Sequence, residues 1–217
     1  MQILLAAATT NEIRPTLDWL TSEQLPVQVQ ITQIGSTATA YALTRALANG
    51  HPSLVLQAGI GGSFKPNYPP GSLALIGEEV IADLGAVEQG ALTDIFDMGF
   101  AASDGHPFRQ RMLVNPWKER FGGFALDFVR GATVNSISAS PPQIKVIAEK
   151  YDPVIESMEG AALHYVCLME QVPFLQLRAV SNFAGERNKA NWNIRDAIVN
   201  LNNKLREIII ALGSNPH

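Results

Sequence analysis

A repeated change of period is the feature that most constrains how this chain can fold. Short runs that are apolar or strictly alternating are followed, again and again, by stretches with helical signals. QILLAAA (2–8) reads as a buried strand, and NEIRPTLDWL after it as a helix disturbed by Pro15. VQVQITQI (27–34) alternates with the two-residue period of a strand and ends at Gly35. ATAYALTRALAN (38–49) is rich in helix formers, with Gly50 as its stop. SLVLQAGIGG (53–62) is an apolar run opening into a glycine loop, and SLALIGEEVIADLGA (72–86) is again strand-like. From about 88 to 130 the scattered Gly, Asp and Pro predict long loops with short elements. GATVNSIS (131–138) predicts a strand, PPQIKVIAEKY a helix opened by prolines, PVIES a strand, MEGAALHYVCLME (158–170) a helix and PFLQLRAVSN a strand. In the last segment Ile194, Ala197, Ile198, Leu201, Leu205, Ile208, Ile209 and Leu212 recur at steps of three and four, the stripe of a long amphipathic helix. Strands alternating with helices predict a three-layer α/β fold, and 217 residues suit a single domain spanning 1–217.

Composition narrows the function classes. At 47% hydrophobic and 17% charged residues the chain can bury a large core. Its 16 basic and 20 acidic residues leave a net charge of −4, with no Lys/Arg-rich run to follow a phosphate backbone, so nucleic acid is not the expected partner. A lone cysteine, Cys167, permits no internal disulfide and no CxxC zinc site, and fits a reducing compartment. The apolar run at the N-terminus is about seven residues long with no basic region before it, a poor signal peptide. IIIALG near the other end is far short of the roughly 20 apolar residues a bilayer requires. A cytoplasmic protein with no membrane partner is expected.

In open α/β sheets ligands bind beyond the carboxyl ends of strands. Four such places carry suspicious residues: Glu12, AGIGGS (58–63), SMEG (157–160) and SNFAGER (181–187). GIGG lets backbone N–H groups approach a ligand, but it is neither a P-loop nor a dinucleotide fingerprint, because Phe64 stands where GxGxxG needs its third glycine. A tight turn explains it equally well. Glu159 falls in the first turn of a predicted helix, where a carboxylate stabilises the helix dipole; it is also placed to accept from a vicinal diol. Glu12 reads either as a solvated helix residue or as a site carboxylate. Asn182, at the mouth of a buried strand, must find hydrogen-bond partners in the protein or in a ligand. Arg187 and Trp192 order the loop before the last helix, Cys167 reads as a small buried hydrophobe, and Met98, Met112 and Met169 as packing. The histidines at 51, 106, 164 and 217 form no metal spacing or triad, and His164 is expected to face solvent. No metal or cofactor is expected.

The combination is more specific than its parts. GEEVIADLGA (77–86), ESMEGAA (156–162), RAVSN (178–182) and GERNKANW (185–192), with the early Glu and AGIGG, resemble the purine nucleoside phosphorylase/hydrolase superfamily. Within it they are most similar to the futalosine hydrolases, enzymes of the alternative menaquinone pathway. The resemblance runs through nearly the whole chain and implies a three-layer αβα fold around a mixed sheet, and a homo-oligomer, dimeric or larger.

It also implies roles. Glu159 would hold the ribose hydroxyls, with Met158 packed on the sugar, and Glu12 would orient and deprotonate the attacking water. Asn182, with Ser181 beside it, would bond the leaving purine near N7. Ile60 and Gly61 would line the pocket, Asn135 and Ser136 of VNSIS would flank the base, and Arg187 is a candidate for the carboxyphenyl arm. Phosphorylases of the superfamily carry arginines in the early loop, where AATTNE (7–12) stands here, so water rather than phosphate is the expected nucleophile. An amide at 182 offers donors to the O6 of hypoxanthine, which a carboxylate would repel. The alternatives are a methylthioadenosine/aminodeoxyfutalosine-type nucleosidase, a purine nucleoside phosphorylase, or a non-catalytic nucleoside-binding module.

Overall fold

The computed structural model describes residues 2–88 and 90–214. In chain order the elements are β1 (Ile3–Ala7), α1 (Thr10–Ser22), β2 (Val27–Ile31), α2 (Ser36–Gly50), β3 (Leu54–Ser63), β4 (Leu73–Ile81), β5 (Gly85–Glu88), β6 (Ala91–Asp94), β7 (Leu113–Val114), β8 (Phe128–Thr133), α3 (Pro141–Tyr151), β9 (Ile155–Ser157), α4 (Gly160–Met169), β10 (Phe174–Phe183) and α5 (Ile194–Ser214). All strands but the β5–β6 hairpin join one mixed sheet. β2, β1, β3 and β10 run parallel, β4 is antiparallel to β10 and parallel to β8, and β9 is parallel to β8 but antiparallel to β3.

Alternation along the strands makes the three layers. Leu5, Leu56, Leu175 and Leu177 turn to one face, against Ile13 and Leu20 of α1 and Leu201, Leu205 and Ile208 of α5. Leu4, Val55 and Phe174 turn to the other, against Leu43 and Leu47 of α2 and Leu163, Val166 and Cys167 of α4. The expected α/β sandwich is present.

β3 organises the site. Along one edge it pairs with β10 through most of its length. Along the other it pairs with β1 from Leu54 to Gln57, and then with β9 at Gly62 and Ser63. The sheet therefore closes on itself through β10, β4, β8 and β9, while β1 and β9 diverge and leave residues 58–61 of that edge without a strand neighbour. Such a divergence is where an α/β sheet opens a crevice.

Several local expectations change. AGIGGS is not a loop but the end of β3, and its glycines serve close approach: a Cβ on Gly61 would lie 2.6 Å from the carbonyl oxygen of Glu156 and 2.8 Å from Ile155 Cγ2. α1 continues through Pro15. β2 stops at Ile31, before the positive φ of Gln33 and Gly35 turns the chain into α2, which runs through Gly50 to a left-handed His51. β8 ends at Thr133, so NSIS is not strand. Residues 90–130 are mostly irregular, yet Asp94 anchors them by accepting from Phe96 N, Asp97 N, Arg111 and Tyr151 Oη.

His164 does not face solvent. It is fully buried; its Nδ1 donates to the Leu113 carbonyl at 2.9 Å, and its ring meets Phe174 edge-on. Burial lowers its pKa to about 4, leaving it neutral. α4 is apolar nearly all round, the pattern of a largely buried helix, here covered by α2, the sheet and β7 with Tyr165 left exposed. Met169 is exposed at its end rather than packed. His217 lies outside the described residues.

Candidate active site

A cavity of about 340 Å³ opens where β1 and β9 part, a size typical of small-molecule sites. Its walls come from the start of α1, the end of β3, the β9–α4 junction, the end of β10 and the loop and first turns of α5.

Glu12 sits in the first turn of α1. Its Oε2 accepts from Thr9 N (3.0 Å) and Thr9 Oγ1 (2.9 Å), and its Oε1 accepts from Ile60 N (3.1 Å). The Ile60 N–H lies in the stretch of β3 whose β1/β9 edge has no strand neighbour, so the sheet's divergence supplies the donor that aims this carboxylate. A carboxylate has about four acceptor positions. Three are filled, and one on Oε1 remains.

Glu159 stands at the N-cap of α4 but makes no side-chain capping bond. Its Oε1 accepts from Gly35 N at 3.1 Å, while Oε2 lies 3.5 Å from Arg178 Nη1. Both partners come from distant segments, so the expected helix-stabilising role is not what positions it. Gly160 follows because a Cβ there would collide with Glu79 and Gln176.

The sequence reading missed the layer beneath. Arg178 is 1% exposed, and its Nη2 donates to Gln57 Oε1 at 2.9 Å. Glu79, fully buried, accepts from Gln176 Nε2 and Thr133 Oγ1, each at 3.0 Å. Arg178 thus pairs with Glu159 and acts on Glu79 through its charge alone. Burial raises the Glu79 pKa from 4.5 to about 7, against the pull of Gln176, Arg178 and Thr133, and Glu159 adds to the rise. Period two was the available signal: in β10 the apolar Leu175, Leu177 and Ala179 alternate with Gln176 and Arg178.

A pH dependence follows. Folded Glu79 holds a proton that the unfolded chain has already released above about pH 4.5, so its stability contribution is complete below that pH and is lost as pH rises to about 7. Glu79→Gln should therefore gain on wild type between about pH 5 and 7, by on the order of 2–4 kcal/mol. Urea midpoints of both proteins across that range check this; parallel curves would show that Glu79 does not titrate there.

Asn182 lines the cavity, but its amide is not waiting for partners. Oδ1 accepts from Ser181 Oγ at 2.8 Å and Nδ2 donates to the Phe183 carbonyl at 2.8 Å. The expected burial puzzle is solved by its own neighbours, leaving one N–H and one acceptor position. Ser181, Met158, Ile60 and Gly61 also line the cavity. Asn135 and Ser136 do not: both are exposed, Asn135 is bonded to Asp83, and it is Ile137 of that segment that reaches the cavity. Arg187 is also outside the lining, an exposed side chain stacked on Trp192, which is the residue that faces in. Glu156, missed at the sequence level, lines the cavity as well. No cluster of three or more His, Cys, Asp or Glu able to hold a metal occurs among the described residues.

The chain as a whole has known relatives. The profile of the Phosphorylase superfamily matches residues 8–212. The chain belongs to that superfamily. A futalosine hydrolase of Streptomyces coelicolor is 34% identical over 185 residues, covering 84% of this chain and 77% of that one. A futalosine hydrolase of Thermus thermophilus is 31% identical over 186 residues, covering 84% and 80%. Among solved structures, a futalosine hydrolase mutant of Helicobacter pylori superimposes with a TM-score of 0.81 at 18% identity, over 97% of this chain and 100% of that one. At that identity the last comparison speaks for the fold alone.

Proposed function

We propose that the protein is an N-ribosyl hydrolase that cleaves futalosine to hypoxanthine and dehypoxanthine futalosine, as a step of menaquinone biosynthesis by the futalosine route. The carrying observation is that two fixed carboxylates, Glu12 and Glu159, line one cavity whose lining, among the described residues, includes no Lys or Arg. A phosphate nucleophile would meet acids with no cation, whereas water needs only an acceptor to orient it.

Glu12 holds the water through its remaining Oε1 position. The water oxygen bonds to C1′ as the C1′–N9 bond breaks, its proton passes to Glu12, and the bonding pair departs with the purine. Glu159, steadied by Gly35 N and Arg178, accepts from the ribose hydroxyls, with Met158 against the sugar. The remaining Asn182 N–H meets the O6/N7 edge, where the leaving base accumulates negative charge and from which it is reprotonated by solvent. Positioning and general-base help of this kind are worth roughly 10²–10⁴-fold per group.

The chain acts as one domain, in the cytoplasm, and as a homo-oligomer. Exposed Ile34 and Tyr41, with Ile137 and Ile194 at the cavity mouth, supply apolar surface for a second copy. Among the described residues no helix is long and apolar enough to cross a membrane.

Base release from futalosine, inosine, methylthioadenosine and aminodeoxyfutalosine tests the substrate, with hypoxanthine from futalosine expected to be fastest. Faster adenine release would favour the methylthioadenosine-type nucleosidase reading. Asn182→Asp should lose hypoxanthine nucleosides by about 10- to 100-fold in kcat/KM and move toward adenine ones. An unchanged ratio would remove Asn182 from base selection.

A further inference from the structure

Pro15 lies inside α1, three residues after the carboxylate given the role of base above. A proline within a helix has no N–H for the carbonyl four residues back, here that of Asn11, and its ring crowds that carbonyl, so the local ladder is weakened. α1 nonetheless runs unbroken from Thr10 to Ser22. A side chain from another helix supports it at this point.

Asn202 of α5 is 1% exposed, and it bonds both members of a pair that a regular helix joins directly, the Glu12 carbonyl and the Thr16 N–H. Its Nδ2 donates to Glu12 O at 2.8 Å. Its Oδ1 accepts from Thr16 N at 3.0 Å and from Thr16 Oγ1 at 2.7 Å. The second Nδ2 hydrogen goes to Ile198 O at 2.7 Å, on Asn202's own helix. All four hydrogen-bonding positions of the amide are therefore filled. The Thr16 N–H can only donate and the two carbonyls can only accept, so the amide has one orientation.

We propose that Asn202 is a positioning residue for Glu12: its amide bridges the α1 backbone at Pro15 and thereby sets the direction of the carboxylate that orients the water. Thr9 and Ile60 hold the carboxylate itself, and Asn202 holds the backbone that carries it. α5 also gives Ile194 and Ile198 to the cavity wall. One helix thus fixes both a wall of the substrate cavity and the turn from which the base reaches into it. This rests on the reading of Glu12 as the base. A displacement of about 1 Å at such a group costs on the order of 10²-fold in rate.

Asn202→Leu keeps the volume and removes the bridge. It should lower kcat on futalosine by about 10- to 100-fold while leaving the calorimetric Kd for inosine within a few-fold of wild type. Amide hydrogen exchange reads the positioning without any turnover. The Ile60 N–H, bonded to Glu12, should exchange about 10-fold faster relative to the Val55 N–H of the same strand, which donates to the Pro173 carbonyl; a general loss of stability would speed both alike. Combining Asn202→Leu with Pro15→Ala covers a single variant that does not fold. The restored N–H lets α1 join Thr16 N to Glu12 O directly, so the thermal midpoint should recover while kcat stays low and Ile60 stays labile. Either readout at its wild-type value in a folded variant, recovery of kcat together with stability in the double variant, or a double variant that still does not fold would overturn the proposal. If wild type does not hydrolyse futalosine, that reading fails by itself, and the exchange of Ile60 against Val55 still decides the role of Asn202.

Discussion

Glu12→Gln should reduce kcat on futalosine by about 10²–10⁴-fold while leaving nucleoside binding within a few-fold of wild type. The carboxylate is fixed by Thr9 and Ile60, and its one remaining acceptor position is the feature that can take a proton from water. An amide fills the same volume but cannot act as a base. It also sets an N–H against a backbone N–H, at either Thr9 or Ile60, so about 1–3 kcal/mol of stability should go with it. Measuring the thermal midpoint beside kcat and a calorimetric Kd separates the two effects. Turnover retained in a folded variant would assign the base elsewhere; lost binding would make Glu12 a binding group.

Arg178→Met should be the most destabilising of the site substitutions, at about 3–5 kcal/mol. The guanidinium is 1% exposed, lies 3.5 Å from the buried Glu159 and draws the Glu79 pKa down through its charge. Methionine approximates its stem but leaves Glu159 without its ion-pair partner and removes the charge that holds the Glu79 pKa down. Because Glu159 would lose one of its two anchors, the KM for futalosine should rise as well. Urea denaturation at pH 8, where Glu79 is most fully ionised, should show the largest loss, and the loss should shrink toward pH 5. A variant as stable as wild type at pH 8 would mean that Arg178 is not what compensates the acids.

The fold was legible because its signals are local. Period two in VQVQITQI, period 3.6 in α5 and the prolines opening α3 each reflect contacts a short window contains. Misreadings arose where tertiary contacts decide. AGIGGS resembles a loop until Gly61 is seen against Glu156, and His164 resembles a surface residue until β7 and α2 cover α4. Seven residues given roles in advance, Glu12, Ile60, Gly61, Met158, Glu159, Ser181 and Asn182, do meet in one cavity. Arg178, Glu79 and Glu156 went unassigned because their partners lie on other strands, and a buried charge is intelligible only with its partner in view.

The most direct measurement is the rate of hypoxanthine release from futalosine by the purified protein, with and without inorganic phosphate. The account requires release that needs no phosphate, with free dehypoxanthine futalosine as the second product. Release that depends on phosphate and yields a sugar phosphate would contradict it.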